Sequence, residues 1–413
     1  MRLELLKMFY YGCYAGENFY KSWKFSRYAS IWQKYLQNKI YFLAKYDINK
    51  GMLFYLCRLE EFFGPFRLFR YVTFRGTMAF VTALLLLIIF GPKLFAWLRA
   101  KNVRDVIRTE VLSELRREKK DVPTMGGLGI VFSVVVSCLL WLRFNVYDVC
   151  ALSMGLLLCI TGIVDDWLKI RYHNAKGIAS HWKWFVQGIS TLILLYVLLS
   201  IPGVGDKMDS LYVTFFKNPL MVAMPPVLLF FYWFCVIAGT SNASNLTDGM
   251  DGLAIGCTVT VTLTYAVFSY VTGNIVLSQY LHLPYINGVE ELSVICLAIT
   301  GASIGFLWYN AHPAEIFMGD TGSLALGAWI GTIALMTQQA TTLIIVGGVF
   351  VMEALSVILQ VTSYKLFRKR CFKMCPIHHH FEFMQIPESK IVVRFWIIAL
   401  LCALMGLVTL KLR

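Results

Sequence analysis

The sequence has few charged residues. Asp, Glu, Lys and Arg make up 15% of the 413 residues, whereas a soluble domain usually carries about 25%. Hydrophobic residues make up 58%, and the mean hydropathy is +0.63. This balance excludes an ordinary soluble globular protein, a disordered chain and a coiled coil, and it predicts many membrane spans.

Acidic residues are scarcer than basic ones. The chain has 24 Asp and Glu against 38 Lys and Arg, which gives a formal net charge of +14. Such a charge indicates anionic partners, namely lipid headgroups, phosphates or nucleic acid, and composition does not choose among them. The sequence also lacks a CxxC pair, a GxxxxGK[ST] loop and a clean signal-peptide pattern. A redox motif, a P-loop ATPase and a cleaved secretory leader are therefore not expected.

Ten apolar stretches are long enough to cross a membrane as helices. The sequence therefore predicts an all-α fold, a polytopic membrane protein with ten transmembrane helices. The predicted spans are residues 77–98, 122–142, 149–165, 184–202, 219–239, 253–273, 292–310, 321–337, 342–364 and 391–411.

Basic residues are distributed unevenly among the loops. Eighteen Lys and Arg lie in the loops after spans 1, 3 and 9, and only three lie in the even-numbered loops. Because cytoplasmic loops carry an excess of Lys and Arg, we expect the odd-numbered loops to face the cytoplasm. With ten spans, both termini then lie outside.

The predicted organisation is an N-terminal basic and aromatic extension, residues 1–76, followed by a ten-helix membrane domain, residues 77–413. The extension carries thirteen Lys and Arg against five Asp and Glu. Aromatic residues interleave with these lysines, a pattern typical of helices lying on a membrane surface. A plain solvated extension fits equally well. The charge of +8 conflicts with an outside location.

Unusual polar clusters occur only in the odd-numbered loops or at the edges of the neighbouring spans. Since alternate loops share one side of a membrane, the five clusters predict a single active site at the cytoplasmic surface. The clusters are residues 123–127, 165–166, 245–252, 310 with 317–320, and 376–382.

These clusters contain oxygen ligands. The carboxylates are Asp165, Asp166, Asp248, Asp251 and Asp320, and the amides are Asn245 and Asn310. Hard oxygen donors favour Mg²⁺ or Mn²⁺ over zinc. With basic residues and glycines nearby, the set indicates phosphoryl transfer. Alternatively, the adjacent aspartates end a helix, and Asp248 and Asp251 act as helix N-caps.

Two further features remain open. Cys371 and Cys375 precede three histidines, which resembles a zinc site by residue type. The basic loop around them argues against a cation, and phosphate contacts explain the histidines better. Glu353 lies deep in span 9, where it faces a water-filled groove or pairs with a neighbouring helix, and we favour the pairing.

Six motifs together resemble one known family. They are PTMGG (123–127), DD (165–166), NLTDGMDG (245–252), FMGDTGSLALG (317–327), GGVFVMEALSVILQ (347–360) and PIHHHFE (376–382). The chain resembles the phospho-N-acetylmuramoyl-pentapeptide transferases, the MraY family, within the polyprenyl-phosphate N-acetylhexosamine-1-phosphate transferase superfamily. The resemblance covers over four-fifths of the sequence, and PIHHH is its most discriminating piece.

The resemblance implies a specific reaction. Phospho-MurNAc-pentapeptide moves from UDP-MurNAc-pentapeptide to undecaprenyl phosphate, which yields lipid I and UMP and requires Mg²⁺. This is the first membrane step of peptidoglycan synthesis. It further implies a bacterial cytoplasmic (inner) membrane protein among membrane lipids, with the active site on the cytoplasmic face, and it allows a homodimer. Nucleic acid is then not needed to explain the positive charge.

The resemblance also implies residue roles. Asp320 would hold Mg²⁺, and Asp165 and Asp166 would be catalytic, either by deprotonating the lipid phosphate or through an aspartyl intermediate. His378, His379 and His380 would join the catalytic set. The implied substrate-binding residues are Lys119, Thr124, Lys169, Lys176, Asn245, Asp248, Asp251, Asn310, Phe317 and Gln360. The chain departs from the family at Asp121-Val122, where relatives have Gly-Thr, and this weakens the assignment of Lys119.

Two alternatives remain. One is a sister transferase that moves another UDP-N-acetylhexosamine phosphate to a polyprenyl phosphate. The other is an ion-coupled transporter, whose acidic residues would lie near the membrane midplane on broken helices. The clustering of acidic residues at one face argues against transport.

Overall fold

A computed structural model describes residues 52–101, 103, 122–172 and 177–412. Within these residues the secondary structure is helical, with an isolated bridge between Leu211 and Met221, further single bridge residues at Pro123 and Arg143, and no strand, so the all-α prediction is confirmed. The ten longest helices are α1 (Val72–Ala100), α2 (Gly127–Trp141), α3 (Val146–Tyr172), α4 (Ser180–Leu199), α5 (Pro226–Thr247), α6 (Leu253–Gly273), α7 (Leu292–Asn310), α8 (Gly319–Met336), α9 (Gly348–Phe367) and α10 (Glu388–Val408). Shorter segments are Phe54–Leu59, Gly64–Arg70, Gly205–Met208, Ile275–Tyr280, Val289–Glu291, Leu343–Val346, Ile377–Glu382 and Thr409–Lys411.

Among the described residues, eight helices are long and apolar enough to cross a membrane, which supports a multi-pass membrane protein. They are α1, α3, α4, α5, α6, α7, α9 and α10. The predicted count of ten is not reached by this criterion. Helix α2 has 15 residues and is about 22 Å long, and α8 carries Asp320 and four glycines in its 18 residues.

Two predicted boundaries are wrong in a way that matters for the site. Asp165 and Asp166 lie inside α3, which continues to Tyr172, and do not open a loop. Asn245 lies in the last turn of α5 and not in a loop. In both places hydropathy falls because the helix carries polar residues that the protein interior buries.

Helix α8 forms the centre of the fold. Every residue from Asp320 to Met336 is buried, and α8 packs against α3 and α5. Glycines bring the backbones together: a Cβ atom at Gly162 would lie 2.3 Å from the Asp320 carbonyl oxygen, and one at Gly127 would lie 2.2 Å from the Gly322 nitrogen. This close packing fixes the first turn of α8 beside the end of α3 and the start of α2.

A buried ion pair lies at the opposite end of α2. The two terminal nitrogens of the Arg75 guanidinium lie 2.6 and 2.5 Å from the Glu291 carboxylate oxygens, and Nη1 also donates to the Trp141 carbonyl. The described part of the predicted extension packs here, because the Leu53 amide donates to the Leu140 carbonyl and Phe69 stacks on Trp141. This segment is therefore about 20 Å from the start of α2. Residues 1–51 of the predicted extension 1–76, which is expected to be either interfacial helices or a solvated segment, lie outside the described residues.

Candidate functional site

Three aspartates meet where the end of α3 contacts the start of α8. Asp165 is fully buried, and Asp166 and Asp320 are 4% and 8% exposed. One carboxylate oxygen from each lies within 4.8 Å of the others. The two helices thus bring together residues that are more than 150 positions apart in the sequence.

Asp166 caps the N-terminus of α8 from outside that helix. Its carboxylate accepts hydrogen bonds from the Asp320 and Thr321 amides at 3.2 and 2.9 Å, and from the Thr321 hydroxyl at 2.8 Å. A carboxylate is favoured at this position because the helix N-terminus carries partial positive charge. Gly319 has φ +74°, and a Cβ atom there would lie 2.6 Å from Asp166 Oδ2. The glycine is therefore required by both backbone conformation and space.

Two lysines neutralise the remaining carboxylates. Lys169 Nζ lies 2.6 Å from Asp165 Oδ2 and 3.0 Å from Asp320 Oδ1. Lys183 Nζ, from the first turn of α4, lies 3.0 Å from Asp165 Oδ2 and 2.7 Å from Asp320 Oδ2. The other oxygen of Asp165 accepts a hydrogen bond from the Ile178 amide at 2.6 Å.

The donor set of the cluster fits a hard divalent cation. Carboxylate oxygens are the ligands that Mg²⁺ prefers, and one oxygen from each of the three aspartates lies within 4.8 Å of the others. The residues that would hold the ion are Asp320, as expected from the sequence, with Asp165 and Asp166. The two lysines would have to shift as it enters.

The loop before α2 lies against the same cluster. The Phe317 amide donates to the Pro123 carbonyl at 2.8 Å, and the Gly126 amide donates to the Phe317 carbonyl at 2.9 Å. The Thr124 hydroxyl lies 3.0 Å from where a Cβ atom of Gly319 would be. Thr124 and Phe317 are therefore brought to the aspartates. Lys119 and Lys176 lie outside the described residues.

The polar residues 245–252 are held from three sides. Ser323 donates its hydroxyl to Asn245 Oδ1 at 3.1 Å, and the Gly252 amide donates to Asn310 Oδ1 at 3.0 Å. The Asp251 amide donates to Glu388 Oε1 at 2.8 Å. Asp248 follows directly after α5, so it is not the N-cap of a helix.

A second group of carboxylates lies beside this loop. Asp251 Oδ2 is 3.1 Å from His312 Nδ1 and accepts a hydrogen bond from the Ala314 amide at 3.2 Å. With Glu388, these side chains are close enough to share a cation. The contacts with His312, Ala314 and Glu388 hold Asp251 in place. Asp251 is itself one of the residues expected to bind the nucleotide.

The three histidines have different surroundings. His378 is fully buried and lies 3.1 Å from the Glu353 carboxylate. His379 lies 2.7 Å from Glu382 Oε2. His380 accepts a hydrogen bond from the Lys373 amide at 3.2 Å and packs edge-on against Phe372. The triad is therefore not a uniform phosphate-binding surface.

Gln360 and the two cysteines make hydrogen bonds in or to the loop that follows α9. The Gln360 oxygen accepts hydrogen bonds from the Cys371 and Phe372 amides, and its nitrogen donates to the Phe372 carbonyl. Burial raises the pKa of the Cys375 thiol, and this thiol donates to the Ser356 carbonyl at 3.3 Å. Neither group of potential metal ligands found in the described part of the chain contains a cysteine.

Contacts connect all five predicted clusters. Phe317 joins the loop before α2, the aspartates of α3 join Asp320, Asn310 joins Gly252, and His378 packs against Gly249. The sites that the sequence placed in alternate loops therefore form one continuous polar region.

Residues 149–338 match the family model of glycosyl transferase family 4. This segment is a little under half of the chain and runs from the start of α3 to just beyond the end of α8. It contains the two adjacent aspartates, residues 245–252 and Asp320. The similarity supports a membrane transferase of the kind that moves a sugar phosphate onto a polyprenyl phosphate.

Residues of this region that sequence reasoning missed include Lys183, Thr321 and Ser323. Lys183 stands at the start of an apolar span, shortly after the aspartates, and this position is a usable signal. Thr321 and Ser323 directly follow Asp320 within an otherwise apolar helix. Small polar residues beside an intramembrane carboxylate are candidates for its hydrogen-bond partners.

Proposed function

We propose that the protein transfers phospho-MurNAc-pentapeptide from UDP-MurNAc-pentapeptide to undecaprenyl phosphate, with release of UMP. In the reaction, a lipid phosphate oxygen bonds to the phosphorus attached to the sugar, and the bond from that phosphorus to the bridging oxygen of UMP breaks. The proposed location is the bacterial cytoplasmic membrane, with the site on the cytoplasmic face. The similarity to glycosyl transferase family 4 supports the type of reaction, and the PIHHH motif of residues 376–380 favours this particular sugar substrate.

The observation that carries the proposal is the buried cluster of three aspartates and two lysines at the junction of α3, α4 and α8. Phosphoryl transfer needs positive groups that neutralise the transferring phosphate and a base that accepts a proton. Lys169 and Lys183 supply the positive charge within 3.0 Å of Asp165 and Asp320.

The contacts favour different roles for the two adjacent aspartates. Both oxygens of Asp166 accept hydrogen bonds from the first turn of α8, so this side chain holds the helix in place. Asp165 Oδ2 lies 2.6 Å from the Lys169 ammonium group and 3.0 Å from that of Lys183, and both groups would have to shift toward a bound phosphate. Asp165 is therefore the better candidate to take the proton from the lipid phosphate.

Asp320, with Asp165 and Asp166, would hold Mg²⁺. The bound ion would neutralise charge on the diphosphate. Other residues of the chain would orient the nucleotide. Asn245 is oriented by Ser323, and Asp251 is fixed by Glu388, so both present rigid polar groups beside the cluster. These residues, with Asn310 and Phe317, form the proposed nucleotide side of the site.

The test is UMP release by the purified protein with Mg²⁺ and undecaprenyl phosphate. We expect release from UDP-MurNAc-pentapeptide and none from UDP-GlcNAc, and activity with UDP-GlcNAc alone would instead establish the sister transferase. Asp320→Ala should abolish release, whereas Asp206→Ala, an exposed acidic residue outside the site, should not. Full activity of Asp320→Ala would remove this aspartate from the proposed mechanism.

A further inference from the structure

Glu353 and His378 form a pair that the proposed mechanism does not use. Glu353 lies in α9, His378 lies in the short helix Ile377–Glu382, and both side chains are fully buried. The Glu353 Oε2 atom is 3.1 Å from His378 Nδ1. This pairing with a neighbouring helical segment is the one that the sequence favoured for Glu353.

The pair is fully buried, and the His379 ring lies beside His378 with a centroid distance of 4.2 Å. Neither carboxylate oxygen of Glu353 and neither ring nitrogen of His378 has a hydrogen-bond partner with good geometry among the described residues. Burying a carboxylate in a helix long enough to span a membrane is unfavourable unless a partner compensates it. Each side chain is therefore the nearest compensating group of the other, and the carboxylate restricts where the imidazole can lie.

The opposite edge of the imidazole contacts the loop after α5. A Cβ atom at Gly249 would lie 2.2 Å from His378 Nε2, so the ring packs directly against the backbone there. Gly249 stands between Asp248 and Asp251 on the proposed nucleotide side. His378 thus contacts this loop at Gly249, and Asn310 holds it at Gly252 by accepting a hydrogen bond from the Gly252 amide.

We infer that Glu353 is a positioning residue, which fixes the His378 ring so that the ring supports residues 248–251 in their nucleotide-binding geometry. The inference rests on the proposed function, because it assigns that loop to the nucleotide. It also separates His378 from direct contact with the reacting phosphates. A positioning role through the loop acts on nucleotide affinity more than on the chemical step.

The first test is Glu353→Gln, which keeps the shape and removes the charge. We expect the KM for UDP-MurNAc-pentapeptide to rise at least ~10-fold, because small misplacements of binding groups are costly. The kcat and the KM for undecaprenyl phosphate should stay within about twofold of the wild-type values. Glu353→Asp should restore part of the nucleotide KM, and Val361→Ala, on the exposed face of α9, should behave as wild type. A fall in kcat with unchanged KM would overturn the inference.

A matched pair of glycine variants probes the other side of the ring. Gly249→Ala places a methyl group where His378 lies and should reproduce the rise in nucleotide KM. Gly239→Ala, in the preceding helix α5, adds the same methyl group where nothing lies within 4 Å and should leave the kinetics unchanged. Wild-type kinetics for Gly249→Ala would contradict the support that His378 is inferred to give.

Hydrogen–deuterium exchange separates this inference from the proposed function. In Glu353→Gln, the amides of residues 248–252 should exchange faster than in wild type, whereas those of the Gly205–Met208 helix should not change. If the wild-type protein releases no UMP with any nucleotide sugar, the proposed function is wrong. The exchange experiment would still test whether His378 supports residues 248–251. Unchanged exchange in a folded variant would overturn the support itself. If Glu353→Gln does not fold, Glu353→Asp and Gly249→Ala provide the same comparison.

Discussion

Replacing Lys183 with Met should make the stability of the protein depend on divalent cations. The ammonium group lies 3.0 Å from Asp165 and 2.7 Å from Asp320, and its side chain is 15% exposed. The three aspartates and two lysines carry a formal charge of −1, which becomes −2 in the variant. Removing one partner of a buried ion pair typically costs about 3–5 kcal/mol, because the remaining charge loses its compensation. We expect a loss of this size in the free energy of unfolding when no divalent cation is present.

The assay is thermal unfolding in detergent with EDTA and then with increasing Mg²⁺. A divalent ion restores the missing positive charge, so Lys183→Met should recover stability as Mg²⁺ is added. Binding at a concentration 100 times Kd stabilises a folded protein by about 2.7 kcal/mol. The control is Lys93→Met, because Lys93 is exposed and lies over the Phe90 ring away from the aspartates.

Two results would refute this reasoning. If Lys183→Met is as stable as wild type in EDTA, the ammonium group does not compensate the buried carboxylates. If it is less stable but gains nothing from Mg²⁺ beyond the gain seen with Lys93→Met, the three carboxylates do not form a cation site.

Three further substitutions test other parts of the fold. Gly162→Ala should lower the free energy of unfolding by about 1–3 kcal/mol, because the added methyl group overpacks against the Asp320 carbonyl. The loss should be seen as a lower unfolding temperature and slower UMP release, and an unchanged unfolding temperature would contradict the close packing. Glu291→Gln should cost about 3–5 kcal/mol by leaving Arg75 unpaired, while the folded fraction keeps its specific activity; a loss of activity without a loss of stability would be inconsistent with a structural pair. Asp166→Asn should slow UMP release at least ~10-fold, because the amide cannot accept all the hydrogen bonds from the first turn of α8 that the carboxylate accepts, and normal turnover would refute its role as a cap.

Hydropathy predicted where the helices lie but not all of their ends. Each of the ten predicted spans overlaps one of the helices α1 to α10. The span predicted at 219–239 corresponds to α5, which begins at Pro226 and continues to Thr247. Its last turns carry Ser241 and Asn242, which hydrogen-bond to Gln187 of α4. A hydropathy window cannot distinguish polar residues that end a helix from polar residues that pair between helices.

The types of residue in the site were predictable, but their partners were not. The sequence placed the polar clusters in alternate loops, and the structure joins those clusters. It did not predict that Lys183 reaches Asp320, or that Gln360 is occupied by the backbone at Cys371 and Phe372. The Lys183 contact depends on how helices far apart in the sequence pack, and the Gln360 contacts depend on how the loop after α9 folds back against that helix. No local pattern encodes either arrangement.

The glycines between the helices determine how little the distance between those helices can change. At Gly127 and Gly162 the backbone of a neighbouring helix occupies the space that a side chain would need, so the distance between helices is fixed by main-chain atoms with no adaptable layer between them. Rotamer changes therefore cannot absorb a small error there. A single added methyl group displaces a whole helix, and the carboxylates at its end move with it.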